Sequence, residues 1–179
     1  MFCLLLSAYS VSAKKRRPNR QKPLELRDFS TDGCSAYPDG YVHTEEYEWL
    51  HCCFAHDIAY WVGGTEDKKA AADAELNRCV SEATFGTHGT VMELGVATGG
   101  TPYLATSWRW GYGWNRLVAY NALSHEKIKM IDKKAFTILD ALVMESFYLN
   151  DEQVEYIKDS YSLFRDEILE RMREEKAQE

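Results

Sequence analysis

The sequence predicts a mainly α chain, in which an antiparallel helix pair linked by disulfides is followed by a helical C-terminal extension. Three observations carry this. Helical apolar spacing runs on both sides of a Gly63-Gly64 break, cysteines sit at level positions on the two flanking segments, and strand-like alternation is scarce. At 179 residues, 45% hydrophobic and 27% charged, the chain suits one globular domain. Its formal net charge of −7 provides no basic field, so nucleic acid is not an expected partner.

Met1 to Ala13 is apolar or small and ends in Val11-Ser12-Ala13, as before a signal-peptidase cut. In a helix this stretch covers roughly 20 Å, short of a bilayer core of about 30 Å, so a cleaved signal is expected rather than an anchor. Residues 14–30 open with a basic cluster (Lys14, Lys15, Arg16, Arg17, Arg20, Lys22) and read as a leader or tail. Four cysteines follow, Cys34, Cys52, Cys53 and Cys79, an even set that implies two disulfides and a secreted or periplasmic location.

Residues 31–85 read as the functional core and 86–179 as an aromatic loop and helices packed on it. Asp32 to Gly40 is turn-rich. Thr44, with Glu45, Glu46 and Glu48 behind it, predicts a helix start, and Gly63-Gly64 its end after Trp61. Thr65, followed by Glu66 and Asp67, predicts a second helix to about Ala83. Val91 to Thr98 is a short helix ended by Gly99-Gly100. Residues 102–120 form an aromatic loop, expected as core or a lid and less often as a lipid contact. A helix is expected over 124–146, and Asn150 with Gln153 caps a last one. That helix carries an apolar stripe of Val154, Ile157, Tyr161, Phe164 and Ile168.

On the first helix, Tyr47, Leu50, Phe54, Ile58 and Trp61 make a core stripe. Cys52 and His56 fall on a second sector, and Cys53 with Asp57 on a third. A five-residue connection makes the two helices antiparallel, and their register sets Cys52 level with Cys79, His56 with Asp73 and Ala59 with Ala72. A histidine with one ring nitrogen held by a carboxylate keeps the other free as a base. Cys34 can bond Cys53, which would bring Asp32-Gly33 beside Asp57, where carboxylate and carbonyl oxygens suit calcium. Asp39-Gly40 reads as a plain turn. His43, His51, His88 and His125 read as surface or satisfied histidines, and Gly111-x-Gly113 is too sparse to cradle a phosphate.

Cys52-Cys53-Phe54-Ala55-His56-Asp57-Ile58-Ala59-Tyr60 resembles the CCxxHDxxY helix of secreted phospholipases A2, and Asp73 with Cys79 resembles that family's second long helix. The Asp32-Gly33-Cys34 and Pro38-Asp39 stretch is more like the calcium loop of bacterial members. The resemblance spans about Asp32 to Val80. It implies a phospholipase A2-like fold that hydrolyses the sn-2 ester of phospholipids at a membrane surface, releasing fatty acid and lysophospholipid. It implies His56 as general base, Asp73 as its orienting carboxylate and Tyr60 as a hydrogen-bond donor to Asp73. It implies calcium as cofactor, held by Asp57, Asp32 and the Gly33 carbonyl, and disulfides Cys34–Cys53 and Cys52–Cys79. The sequence departs from the family in lacking its glycine-rich calcium loop and in having Ala59 and Ala72 where animal members have a cystine. Residues 86–179 match nothing in the family. Two other readings are a catalytically inactive, calcium-stabilised lipid-binding module on the same scaffold, and a zinc site from Cys52, His56, Cys79 and Asp73.

Overall fold

A computed structural model describes residues 22–41, 47–84, 86 and 88–177. The signal-like stretch and most of the basic cluster lie outside the described residues, as do Thr44, Glu45 and Glu46. Helices α1 (Leu50–Val62), α2 (Glu66–Thr84), α3 (His88–Gly99), α4 (His125–Lys134), α5 (Phe136–Glu145) and α6 (Asp151–Lys176) make up most of the rest. α2 packs on α1 and α3, and α6 packs on α1 and α4. Among the described residues no helix is long and apolar enough to cross a membrane.

Several expected boundaries hold for the expected reasons. Thr65 Oγ1 accepts from the Lys68 amide at the start of α2. Asn150 and Gln153 form a reciprocal box, each side chain accepting the other's backbone N–H. Ile157 and Ile168 are fully buried, with Val154, Tyr161 and Phe164 packed beside them.

Other expectations are corrected. α1 begins at Leu50 rather than near Thr44. The residues just before it are engaged by the preceding loop: Trp49 donates from its amide to the Asp39 carbonyl and from Nε1 to the Pro38 carbonyl. Glu48 accepts from the Tyr41 amide instead of serving a first turn. Tyr47 therefore lies off the helix and is exposed, not part of its core stripe. The helix expected over 124–146 is two helices, which meet at Ala135, a buried residue. α3 starts at His88, whose ring stacks on Trp49 and whose Nδ1 meets the Tyr37 hydroxyl at 2.6 Å.

Residues 22–30 are not a tail. Leu26 and Phe29 are core residues, and the strand-like pairing of Leu26 with Trp114 is backed by Arg27 N–H to Gly113 O and Asn115 N–H to Glu25 O. The 110–114 part of the aromatic loop is core, with Trp110 and Trp114 free of solvent exposure, whereas Tyr103 is exposed.

This loop solves the terminal problem of α1, whose last carbonyls have no partner within the helix. Gly111 N–H donates to Tyr60 O, Gly113 N–H to Trp61 O, Trp114 Nε1 to Val62 O and Trp110 Nε1 to Gly64 O. Gly113 has to be glycine, because a Cβ there would lie 2.3 Å from the Trp61 ring. The C-terminal end of the helix that carries His56 and Asp57 is thereby fixed by the loop, by both backbone bonds and buried indoles.

Candidate active site

Two disulfides fix the site from either side. Cys52–Cys79 joins α1 to α2, and Cys34–Cys53 joins the 31–40 loop to α1. Both were legible as pairings. They also remove the zinc reading, since Cys52 and Cys79 are bonded to each other and offer no thiolate. His51 Nε2 lies 3.4 Å from Cys52 Sγ, and the same bond excludes it from a thiolate metal site.

His56 and Asp73 meet across α1 and α2 as their register requires. His56 Nε2 is 3.1 Å from Asp73 Oδ1, and the Tyr60 hydroxyl donates to the same oxygen at 2.7 Å. A carboxylate only accepts, so Nε2 carries the proton and Nδ1 the lone pair. Burial pushes the imidazole's pKa down, against the hydrogen bond and charge of Asp73, which pull it up. For Asp73, burial pushes up but the hydrogen bonds from His56, Lys69 and Tyr60 outweigh it, leaving the carboxyl below its usual range. Burial raises the Tyr60 phenol, and its bond to Asp73 raises it further, so it stays a donor.

Lys69 is the residue that sequence reading missed. Only 4% exposed, it donates from Nζ to Asp73 Oδ2 at 2.6 Å and to the Val96 carbonyl of α3 at 3.0 Å. Its place four residues before Asp73 on α2 was a readable signal, because i and i+4 share a helix face.

Asp57 is buried one turn beyond Cys53, and Thr31 Oγ1 donates to its Oδ2 at 2.7 Å. Among the described residues no donor reaches its other oxygen. Burial raises its pKa well above the ordinary carboxyl value; Thr31 opposes this, and the nearby Asp32 and Asp39 carboxylates add to it. Asp39 is also raised, first by burial and then by Asp32, against the Cys34 amide that donates to its Oδ1 at 2.7 Å. Asp39 and Gly40 form a bend, as expected, and the Asp39 side chain folds back against Gly33. That contact needs glycine, with φ of 71° and a would-be Cβ 2.3 Å from Asp39 Oδ1. Asp32 receives the Ser35 hydroxyl on Oδ1. Asp32 and Asp39 thus lie near enough to act on Asp57 electrostatically, with no described basic side chain bonded to any of the three, but their oxygens do not all come within 4.8 Å of one another as a set of metal ligands would.

Between these two halves lies a cavity of about 230 Å³. His56, Asp57 and Tyr60 line it, and its apolar wall comes from Val91, Met92, Gly95 and Val96 of α3, with Leu76 and Trp108. The wall was not foreseen, because the α3 sequence alone does not say against which helix it packs. Compared with protein-family models, curated proteins and solved structures, the chain matches none.

Proposed function

We propose that this chain is a calcium-dependent ester hydrolase of the phospholipase A2 kind, which acts on the sn-2 ester of phospholipids at a lipid surface in a secreted or periplasmic setting. The observation that carries the reading is a single one. An imidazole held through Nε2 by a buried carboxylate lines the same apolar cavity as a buried carboxylate flanked by two others. The resemblance of residues 52–60 to the phospholipase A2 helix supports it, and two disulfides with no membrane-crossing helix among the described residues suit the location.

His56 is the general base. Its Nδ1 accepts a proton from a water as the water oxygen adds to the ester carbonyl carbon. Asp73 holds the ring in the tautomer that leaves Nδ1 basic and stabilises the imidazolium that forms, while remaining a carboxylate itself. Tyr60 and Lys69 keep Asp73 in place. When the tetrahedral adduct collapses, the C–O bond to glycerol breaks and Nδ1–H returns its proton to the leaving alkoxide, giving fatty acid and lysophospholipid. The α3 wall houses an acyl chain; for a substrate dissolved in water, its burial contributes about 0.8 kcal/mol per methylene.

Asp57, Asp32 and the Gly33 carbonyl, with Asp39, would hold calcium by drawing together from an arrangement in which the three carboxylates do not all lie within 4.8 Å of one another. When bound there, the ion supplies Lewis-acid polarisation of the ester carbonyl and counter-charge for the phosphate. The test is fatty acid release from mixed phospholipid vesicles, read by mass spectrometry with calcium and with chelator. Calcium-dependent release at the sn-2 position is expected. Release unchanged in chelator, or none in either condition, overturns the proposal.

A further inference from the structure

Lys69 sits where a lysine is costly. An exposed helical lysine keeps its ammonium in water by extending along the surface, whereas this one is buried between α2 and α3. Burying an ammonium costs several kcal/mol unless a partner and hydrogen bonds compensate. Here the compensation is specific: one N–H goes to Asp73 Oδ2 and another to the Val96 carbonyl, and the ammonium also lies over the Tyr60 ring at 5.4 Å from its centroid.

The two oxygens of Asp73 are divided. Oδ1 takes both His56 and Tyr60, and Oδ2 takes Lys69. Two bonds to Oδ1 still allow the carboxylate to pivot about that atom. The bond to Oδ2 fixes its plane, and with it the direction in which Oδ1 faces the imidazole. Val96, the other acceptor, belongs to the cavity wall. One ammonium therefore ties the carboxylate behind the base to the helix that shapes the apolar cavity.

We infer that Lys69 is a positioning residue, which fixes Asp73 behind His56 and holds α3 against the base, an inference that rests on the hydrolase reading above for its kinetic consequence. Lys69 touches no reacting atom and acts only through Asp73 and α3.

The experiment compares the full chain with Lys69→Met and Lys69→Arg, using a soluble short-chain phospholipid and calcium. Lys69→Met should lower kcat on the order of 100-fold with KM within about threefold, as for a misplaced base. Lys69→Arg, which restores a buried cationic donor, should recover to within about tenfold. A readout independent of turnover is the downfield proton resonance of His56 Nε2–H. It should move in Lys69→Met and stay in Lys69→Arg. Should Lys69→Met fail to fold, Lys69→Gln, which keeps a donor but no charge, takes its place, and Lys69→Met/Asp73→Asn should melt higher than Lys69→Met alone because both charges leave together. Two results would overturn the inference: a folded Lys69→Met (or Lys69→Gln) whose kcat and His56 resonance match the parent, or a double variant no more stable than Lys69→Met. If the parent itself shows no hydrolysis, the hydrolase reading fails while the resonance and the double variant still decide whether Lys69 positions Asp73.

Discussion

Gly33 and Asp39 touch so closely that the carboxylate occupies the space a side chain at position 33 would need: an added Cβ would lie 2.3 Å from Asp39 Oδ1 and 2.8 Å from Cγ. The contact turns the 31–40 loop back on itself and sets Asp39 among the groups that act on Asp57. Gly33→Ala should therefore push Asp39 away and strain a backbone at φ 71°. We expect it to weaken calcium-dependent stabilisation by about tenfold or more in apparent affinity, with both disulfides intact. Calcium titration followed by melting temperature checks this, and an unchanged midpoint would remove Asp39 from the ligand set.

The raised pKa of Asp57 makes stability depend on pH with a defined sign. A carboxyl whose folded pKa exceeds its unfolded value binds its proton more tightly when folded, so stability falls as pH rises from about 4 through the folded pKa. Asp73 and His56, both shifted down, slope the other way. Comparison with Asp57→Asn at each pH cancels those two. In chelator the parent should lose stability relative to Asp57→Asn as pH rises from 4 to neutral, and calcium should abolish the loss. A parallel pair of melting curves across that range would show that Asp57 does not carry the effect.

For the base, His56→Gln should abolish hydrolysis while the melting temperature moves little, since glutamine can still donate toward Asp73. Asp73→Asn should reduce kcat less, by on the order of 10²- to 10⁴-fold, because the imidazole survives in a poorly held orientation. Near-parental rates in His56→Gln, measured on the same vesicles, would mean that another group takes the proton.

Gly95 offers a test of the cavity. It faces the cavity from α3, and a Cβ there meets nothing within 4 Å. Gly95→Leu should keep or slightly raise stability, since glycine costs about 1 kcal/mol in a helix interior. It should also fill the acyl site, so that KM rises for long-chain substrates and less for short ones. Equal effects on both chain lengths would place the acyl chain elsewhere.

The two disulfides should be separable. They close sequence separations of 19 and 27 residues and are each worth about 2–4 kcal/mol. Cys34→Ser/Cys53→Ser should also lose the calcium response, since it frees the loop beside Asp57. Cys52→Ser/Cys79→Ser should lose stability but keep that response. Denaturant melts with and without calcium distinguish the pairs, and equal calcium responses would contradict the assignment of the loop.

The helix pair and the His56–Asp73 and Cys52–Cys79 pairings follow from the sequence by itself, because antiparallel helices joined by a short glycine turn have one register. The Asn150–Gln153 box and the Thr65 cap were equally legible, since capping depends on residues three apart. Tertiary structure decided the rest. Leu26 and Phe29 carry no period long enough to mark a core segment, and only their contact with the 110–114 loop buries them. Helix α1 starts late because Trp49 is held by Pro38 and Asp39, which local propensity does not record. Asp39 looks like a turn residue until the left-handed Gly33 brings its carboxylate back. Lys69 reads as a surface lysine until α3 closes over it and supplies the Val96 carbonyl. Each of these depends on which distant segment arrives beside a residue, and spacing along the chain holds no information on that.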